Sequence, residues 1–317
     1  MPTMTGTEHS SVVVPPYPTY SIVMGDEIIT FGMYSGSTTS TLPNKDVWTR
    51  YDITTGVRSA YTGCYPAAGS PGFYDNGRVT AAVATSSTEI YYTVQIYSSF
   101  SWGGAYLTRL DLTTNTAVVL SNTSGPTSMS GPLFYTGGYI VSRGNKYNIS
   151  TTVFSSSSIT SSRPALAAGR MFNAVAGTTT LYEVDLATNS NTATYTFPVA
   201  VHSAVSLPND VRFTPAVIGT KIYWPANNSN VAYVAFDTAT NTTSMQMWAT
   251  GSTGRYEWQA GSDGLLYSIN DDDLIVCEPG TGNWARPVYP TTRTLRYGSG
   301  FVFAGGKIWV PSGDPLT

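Results

Sequence analysis

Residues 47–60 read VWTRYDITTGVRSA. An alternating run ends on Asp52, a Thr-Thr-Gly turn follows, and a second short run leads away. Alternation with period two marks a half-buried strand, and Asp, Thr and Gly at these offsets mark a tight turn, so the stretch predicts a β-hairpin. The chain writes this hairpin again as YLTRLDLTTNTAVVL from Tyr106, LYEVDLATNSNTATYTF from Leu181, VAYVAFDTATNTTSMQMW from Val231 and DLIVCEPGTGNWARPVY from Asp273. A weaker copy, KYNISTTVF, starts at Lys146. In each copy an Asp or Thr side chain can bond the turn backbone while Gly or Asn takes the left-handed position. Asp52, Asp111, Asp185 and Asp237 are therefore read as structural turn residues rather than catalysts.

Taken as anchors, Asp52, Asp111, Asn148, Asp185, Asp237 and Glu278 are separated by 59, 37, 37, 52 and 41 residues. Propeller blades repeat about every 40–50 residues with loops that vary between copies, and this spacing matches them better than any helical repeat. Ahead of the six anchors lie pairs of apolar strands at residues 20–36, 78–97, 131–144, 165–177, 212–228 and 256–271, and a seventh pair lies at 297–313. Seven inner pairs against six outer hairpins predict an all-β fold. It is a β-propeller of seven blades, with six as the alternative, and an N-terminal strand closes the ring. The β-branched run SSVVV at residues 10–14, just before Pro15-Pro16, is the candidate closing strand. Residues 1–19 are thus expected to form an N-terminal segment with that strand, and 20–317 a single propeller domain.

The run Trp48-Thr-Arg-Tyr51-Asp52-Ile-Thr54-Thr-Gly resembles the Tyr-Asp-x-x-Thr core of a Kelch repeat, and Gly137-Gly138 and Gly305-Gly306 resemble the Kelch double glycine. Leu181 to Asn189 looks equally like the repeat of YVTN and quinoprotein-type propellers. Most copies depart from Kelch in lacking the double glycine, and only Trp284 stands near the Kelch tryptophan position. The resemblance implies a propeller fold. Fold does not imply function, because function resides in sites carried on the fold.

Composition narrows the function classes. Charged residues make up 11% of the 317, the formal net charge is −3, and no cluster of Lys or Arg occurs, which argues against a nucleic-acid partner. No run has the length of a membrane-spanning helix. The N-terminus lacks the basic start and apolar stretch of a secretory signal. Cys64 and Cys277 do not make a disulfide framework, and buried thiols are expected. Asn-X-Ser/Thr sequences at Asn122, Asn148, Asn227 and Asn241 arise readily by chance in a chain this rich in Ser and Thr.

Few charges, many hydroxyls and many aromatics suit an outward-facing surface, whereas no export signal is seen. A virion protein, assembled inside a cell and exposed later, reconciles the two. The leading expectation is a non-enzymatic virion or cell-surface propeller, in the manner of a bacterial-virus structural or tail protein. It would dock to other subunits or to a host surface glycan. The alternatives are a secreted carbohydrate-active hydrolase or lyase with a propeller active site, and a Kelch-like protein-interaction adaptor.

Catalytic chemistry finds little purchase. Only His9 and His202 are present, so a multi-histidine metal site is excluded, and a Ser-His-Asp triad would have to use His202, read as a solvated loop residue. No nucleophile elbow or phosphate loop occurs. Asp271, Asp272 and Asp273 are the densest acidic run, able in principle to hold calcium but read as a solvated hairpin turn. No cofactor is expected. Candidate binding residues are the aromatics near predicted strand ends: Tyr34, Tyr97, Phe100, Trp102, Trp224 and Trp258. Residues 97–104 (YSSFSWGG) read as a long loop inserted in the second blade, the first place to look for binding.

Overall fold

The computed structural model describes residues 19–32, 34–35, 47–64, 76–98, 101–120, 129–159, 163–203, 215–249, 258–270, 273–287 and 302–309. Among them regular structure is all strand. The first sheet is a meander of β1 (Tyr20–Met24), β2 (Glu27–Phe31) and then, after the two-residue β3 (Tyr34–Ser35), β4 (Val47–Asp52) and β5 (Arg58–Thr62). The second sheet takes in β3 as an edge and continues through β6 (Asn76–Ala84), β7 (Glu89–Ser98), β8 (Ser101–Asp111) and β9 (Thr116–Val119). The third contains β10 (Ser130–Thr136), β11 (Tyr139–Arg143), β12 (Asn145–Asn148) and β13 (Val153–Ser156).

The fourth sheet is β14 (Arg163–Ala167), β15 (Arg170–Ala174), β16 (Thr180–Asp185) and β17 (Ser190–Thr196). The fifth is β18 (Ala216–Ile218), β19 (Lys221–Trp224), β20 (Val231–Asp237) and β21 (Thr242–Met247). The sixth is β22 (Gln259–Ala260), β23 (Leu266–Asn270), β24 (Asp273–Cys277) and β25 (Trp284–Ala285). A last hairpin pairs β26 (Val302–Ala304) with β27 (Lys307–Trp309). Every neighbouring pair is antiparallel, so each sheet is a short meander of hairpins. All seven expected inner pairs and all six expected outer hairpins are found at their places in the chain. Six full sheets give the six-blade arrangement, the alternative to the expected seven. The candidate closing strand at residues 10–14 lies outside the described residues.

The strands fall into two compact units, one holding β1–β13 with β26–β27 and the other β14–β25. Within each unit, sheets are joined face to face by apolar side chains. In the first unit, Ile90, Tyr92 and Val94 of β7 pack with Ile29, Phe31 and Trp48 of the first sheet. The alternate residue Tyr91 turns the other way and packs with Leu107, Leu133, Ile140 and Tyr147 toward the third sheet. The last hairpin sits beside the first sheet, with the Trp309 ring 5.2 Å from that of Tyr51.

In the second unit β20 is buried along almost its whole length. Val234 and Phe236 face Phe172 and Leu181 of the fourth sheet, while Tyr233 and Ala235 face Trp258 and Leu266 of the sixth. A strand that buries both faces must be nearly continuously apolar, as VAYVAFD is. Each large apolar side chain so buried contributes about 1.5–3 kcal/mol of transfer free energy.

Candidate functional site

The repeat turns carry the most regular polar geometry. Asp52 Oδ1 accepts from the backbone N–H of Thr54 at 2.8 Å and of Thr55 at 2.9 Å. Asp111 accepts from Thr113 at 2.8 Å, Asp185 from Ala187 at 2.8 Å and Asp237 from Ala239 at 2.9 Å. In the third sheet Asn148 does the same work, accepting from Ser150 and Thr151 at 3.0 Å each. The left-handed position is filled by Gly56, Asn115, Asn189 and Asn241, with φ between 55° and 73°. These bonds hold the Asp52 carboxyl below the usual carboxylate range, the Thr55 N–H foremost, and Asp111 and Asp237 likewise. A carboxylate that accepts from turn N–H groups holds its turn closed.

Beside the turns, a pair of positions recurs across the sheets. Glu27, opposite Asp52 in register, bonds Arg50 at 2.7 Å. Arg50 also donates to the Leu112 carbonyl of the second sheet at 3.0 Å. Glu89, opposite Asp111, meets Arg109 at 3.7 Å. In the third sheet Tyr139 and Lys146 take the two places, the ammonium 5.3 Å from the ring centroid. The fourth sheet inverts the charges: Arg170 opens β15, Glu183 stands on β16, and they bond at 2.5–2.8 Å. Arg170 also reaches the Thr238 carbonyl of the fifth sheet at 3.0 Å. Leu112 and Thr238 each follow the anchor aspartate of the neighbouring sheet, so two separate arginines make the same tie. These groups tie sheets together.

Several expected site residues belong to packing. Trp224 is fully buried, and its indole N–H donates to the Arg163 carbonyl at 3.1 Å. Trp258 is 2% exposed and donates to the Ala232 carbonyl at 2.9 Å. Both rings are covered by neighbouring side chains, so neither candidate binding residue has an exposed face to offer a ligand. His202 is buried as well, not solvated, its backbone N–H bonded to Pro225 O at 2.8 Å. Cys64 and Cys277 are buried thiols, and burial pushes Cys277 up to about 12. Asp271 and Asp272 lie outside the described residues, and Asp273 begins β24 opposite Asn270. Among the described residues no three or more His, Cys, Asp or Glu stand grouped as metal ligands.

The second sheet differs from the others at one end. Of residues 97–104, expected as a loop, 97–98 and 101–104 instead prolong the β7–β8 ladder: Tyr97 pairs with Trp102 and Ser98 with Ser101. A register shift between Gln95 and Tyr97 accommodates Gly103 and Gly104. β7 and β8 are 10 and 11 residues long, against 5 and 6 for β2 and β4. Strand β3, sent out from the first sheet, adds a further edge there, with Ser35 opposite Asn76 and Tyr34 opposite Gly77. Asn76 in turn lies opposite Tyr97. One rung therefore runs Ser35, Asn76, Tyr97, Trp102, and Tyr34 occupies the next rung. Three of the six aromatic candidates are gathered at this one end of one sheet. Phe100 lies outside the described residues.

Two residues back along the strands, Arg78 lies opposite Gln95. Arg78 Nε and Nη2 donate to Gln95 Oε1 at 3.2 and 3.1 Å. Sequence reasoning missed Arg78, Gln95, Asn76 and Ser35. Arg78 was visible only as the first residue of an inner strand, and a two-residue strand such as β3 leaves no periodic signal.

Comparison with known proteins adds the class of fold. No family profile matches the chain, and no curated protein matches it in sequence. Solved structures do match. The WD40 β-propeller domain of Doa1 aligns at 10% identity with a TM-score of 0.54, over 94% of this chain and 90% of that one. The β-propeller domain of Myceliophteria thermophila Swd1 aligns at 10% identity with a TM-score of 0.58, over 89% of both chains. The extracellular domain of a hybrid two-component system from B. thetaiotaomicron aligns at 11% identity with a TM-score of 0.58. That match takes in 94% of this chain but only 37% of that one. The fold is a β-propeller. At such identities the likeness is one of fold alone.

Proposed function

We propose that the chain is a non-enzymatic binding propeller of a virion or cell surface, and that it holds a host surface glycan at the prolonged end of its second sheet. The observation that carries the reading is the rung Ser35–Asn76–Tyr97–Trp102, built where β7 and β8 outrun the other sheets and β3 is added as an edge. The residue types that this register brings together, aromatic with amide and hydroxyl, are the chemistry that receives a sugar, apolar on one side of its ring and hydroxylated at its rim. An extension of one repeat that the fold does not need is a natural place for function. The hydroxyl-rich, weakly charged composition and the Kelch-like repeat belong to the same reading, in which other subunits of a particle are the further partners.

The test is to replace residues 97–102 with an Asn-Gly turn and probe both proteins on an array of surface glycans. The shortened protein is expected to keep its thermal midpoint and lose glycan binding. Equal binding by the two proteins removes the site from consideration. The virion placement is checked separately, by looking for the chain among the proteins of purified particles.

A further inference from the structure

The six full sheets end in the outer strands β5, β9, β13, β17, β21 and β25, and among the described residues each of these pairs on one side only. Such an edge leaves backbone N–H and C=O groups ready for another strand, and folded proteins blunt it with charge, a bulge or short length. Five of the six are blunted. β5 carries Arg58, and β25 is two residues long. β9 and β13 have four residues each. β17 has seven but is bulged: Glu183 and Val184 of β16 face Ala193 and Asn191, which leaves Thr192 as the extra residue. β21, TTSMQM, has six residues with no charge and no proline, and the extra residue of its ladder, Ala232, lies on β20. It also exposes two thioethers, Met245 at 42% and Met247 at 46%.

We infer that β21 is the edge on which a second copy of this chain docks, strand to strand and antiparallel about a two-fold axis. This interface is separate from the glycan site and does not rest on it. In a two-fold pairing the same strand meets itself, so a charged edge would oppose its own charge and β21 does not. With the axis at Met245, that residue faces its own copy, Ser244 faces Gln246 of the second copy, and Thr243 faces Met247 of the second copy. Alternation then gathers four thioethers on one side of the joined sheet and the Ser244 hydroxyls and Gln246 amides on the other. An axis between Ser244 and Met245 would instead set the methionines opposite Ser244 and Thr242 and lose that match. The pairing is centred on Met245 because Gly282 of the sixth sheet closes on the Met247 carbonyl, leaving no room there even for a Cβ. A strand pair this short is at the small end of protein interfaces, so the dimer is weak and reversible, and it gains strength where copies are held close together.

The experiment follows the full chain by sedimentation equilibrium from about 1 μM to about 1 mM, the range of a weak association. The native protein should pass reversibly from monomer to dimer. Met245→Lys and Met245→Glu each set like charges opposite one another at an exposed position, and each should raise the dissociation constant by about tenfold or more. An equimolar mixture of the two should associate at least as tightly as the native chain, because the introduced lysine then faces the introduced glutamate. The protein shortened at residues 97–102 should dimerise like the native one, so that loss of glycan binding and loss of pairing are read apart. A native chain that stays monomeric at about 1 mM overturns the inference. So does a Met245→Lys protein that dimerises as the native chain does, or a mixture no tighter than either variant alone. Should a charged variant not fold, Met245→Cys decides. With oxidised glutathione it should form a disulfide-linked dimer, while Ser244→Cys, on the other side of the sheet, should stay monomeric, Cys64 and Cys277 being buried. Equal cross-linking of both variants, or of neither, overturns the pairing.

Discussion

At the scale of single residues, the anchor aspartates couple stability to acidity. Asp52, Asp111 and Asp237 have carboxyls held below their ordinary range by turn N–H groups. A carboxyl whose native value is depressed stabilises the fold above its unfolded value, and that contribution is lost as the pH falls through the native value. The thermal midpoint should therefore be flat above about pH 5 and fall between about pH 4 and pH 2. Asp52→Asn keeps the accepting oxygen, as Asn148 does in the third sheet, so it should hold the neutral-pH midpoint and make the acid slope shallower. Scanning calorimetry across that range checks both statements. The recurrent ion pairs make a second prediction, because their geometry differs. Glu183→Ala removes a close two-point contact to Arg170 and should cost about 1–2 kcal/mol in urea unfolding. Glu89→Ala breaks a 3.7 Å contact to a more exposed Arg109 and should cost less than about 0.5 kcal/mol.

At the scale of elements, what was legible in the sequence was local. Each anchor turn is written in four or five adjacent residues, and each hairpin in its own alternation, so inner and outer pairs could be placed without knowing what they pack against. The aromatic residues were not legible in the same way. Trp224 ends β19 with its ring against Phe197 at 5.3 Å, and nothing in KIYW distinguishes a ring facing a neighbouring sheet from one facing solvent. The prolonged β7–β8 ladder was hidden by Gly103 and Gly104, which read as loop but fit a register shift. Strand β3 owes its pairing wholly to distant Asn76 and Gly77. A paired measurement separates the two kinds of tryptophan. Trp224→Phe should lower stability by about 1–3 kcal/mol, from the lost bond and volume, with glycan binding retained. Trp102→Ala should do the reverse.

At the scale of the whole molecule, each compact unit carries one buried thiol, Cys64 in one and Cys277 in the other. Neither should react with a thiol reagent in the native protein, and both should react in denaturant. The order in which they become reactive along a urea series reports which unit opens first, read by mass after trypsin digestion. The inverted ion pair of the fourth sheet bears on how a chain of near-identical hairpins sorts itself. Strands β2 and β7 bring a glutamate to the recurrent position and bond an arginine diagonally across the next strand, whereas β15 brings Arg170 and bonds Glu183. If β15 met β4 in place of β16 during refolding, Arg170 would lie diagonal to Arg50 and lose the bond to Glu183. The inversion works as a key cut differently for one lock, biasing look-alike segments of the nascent chain away from exchanging partners.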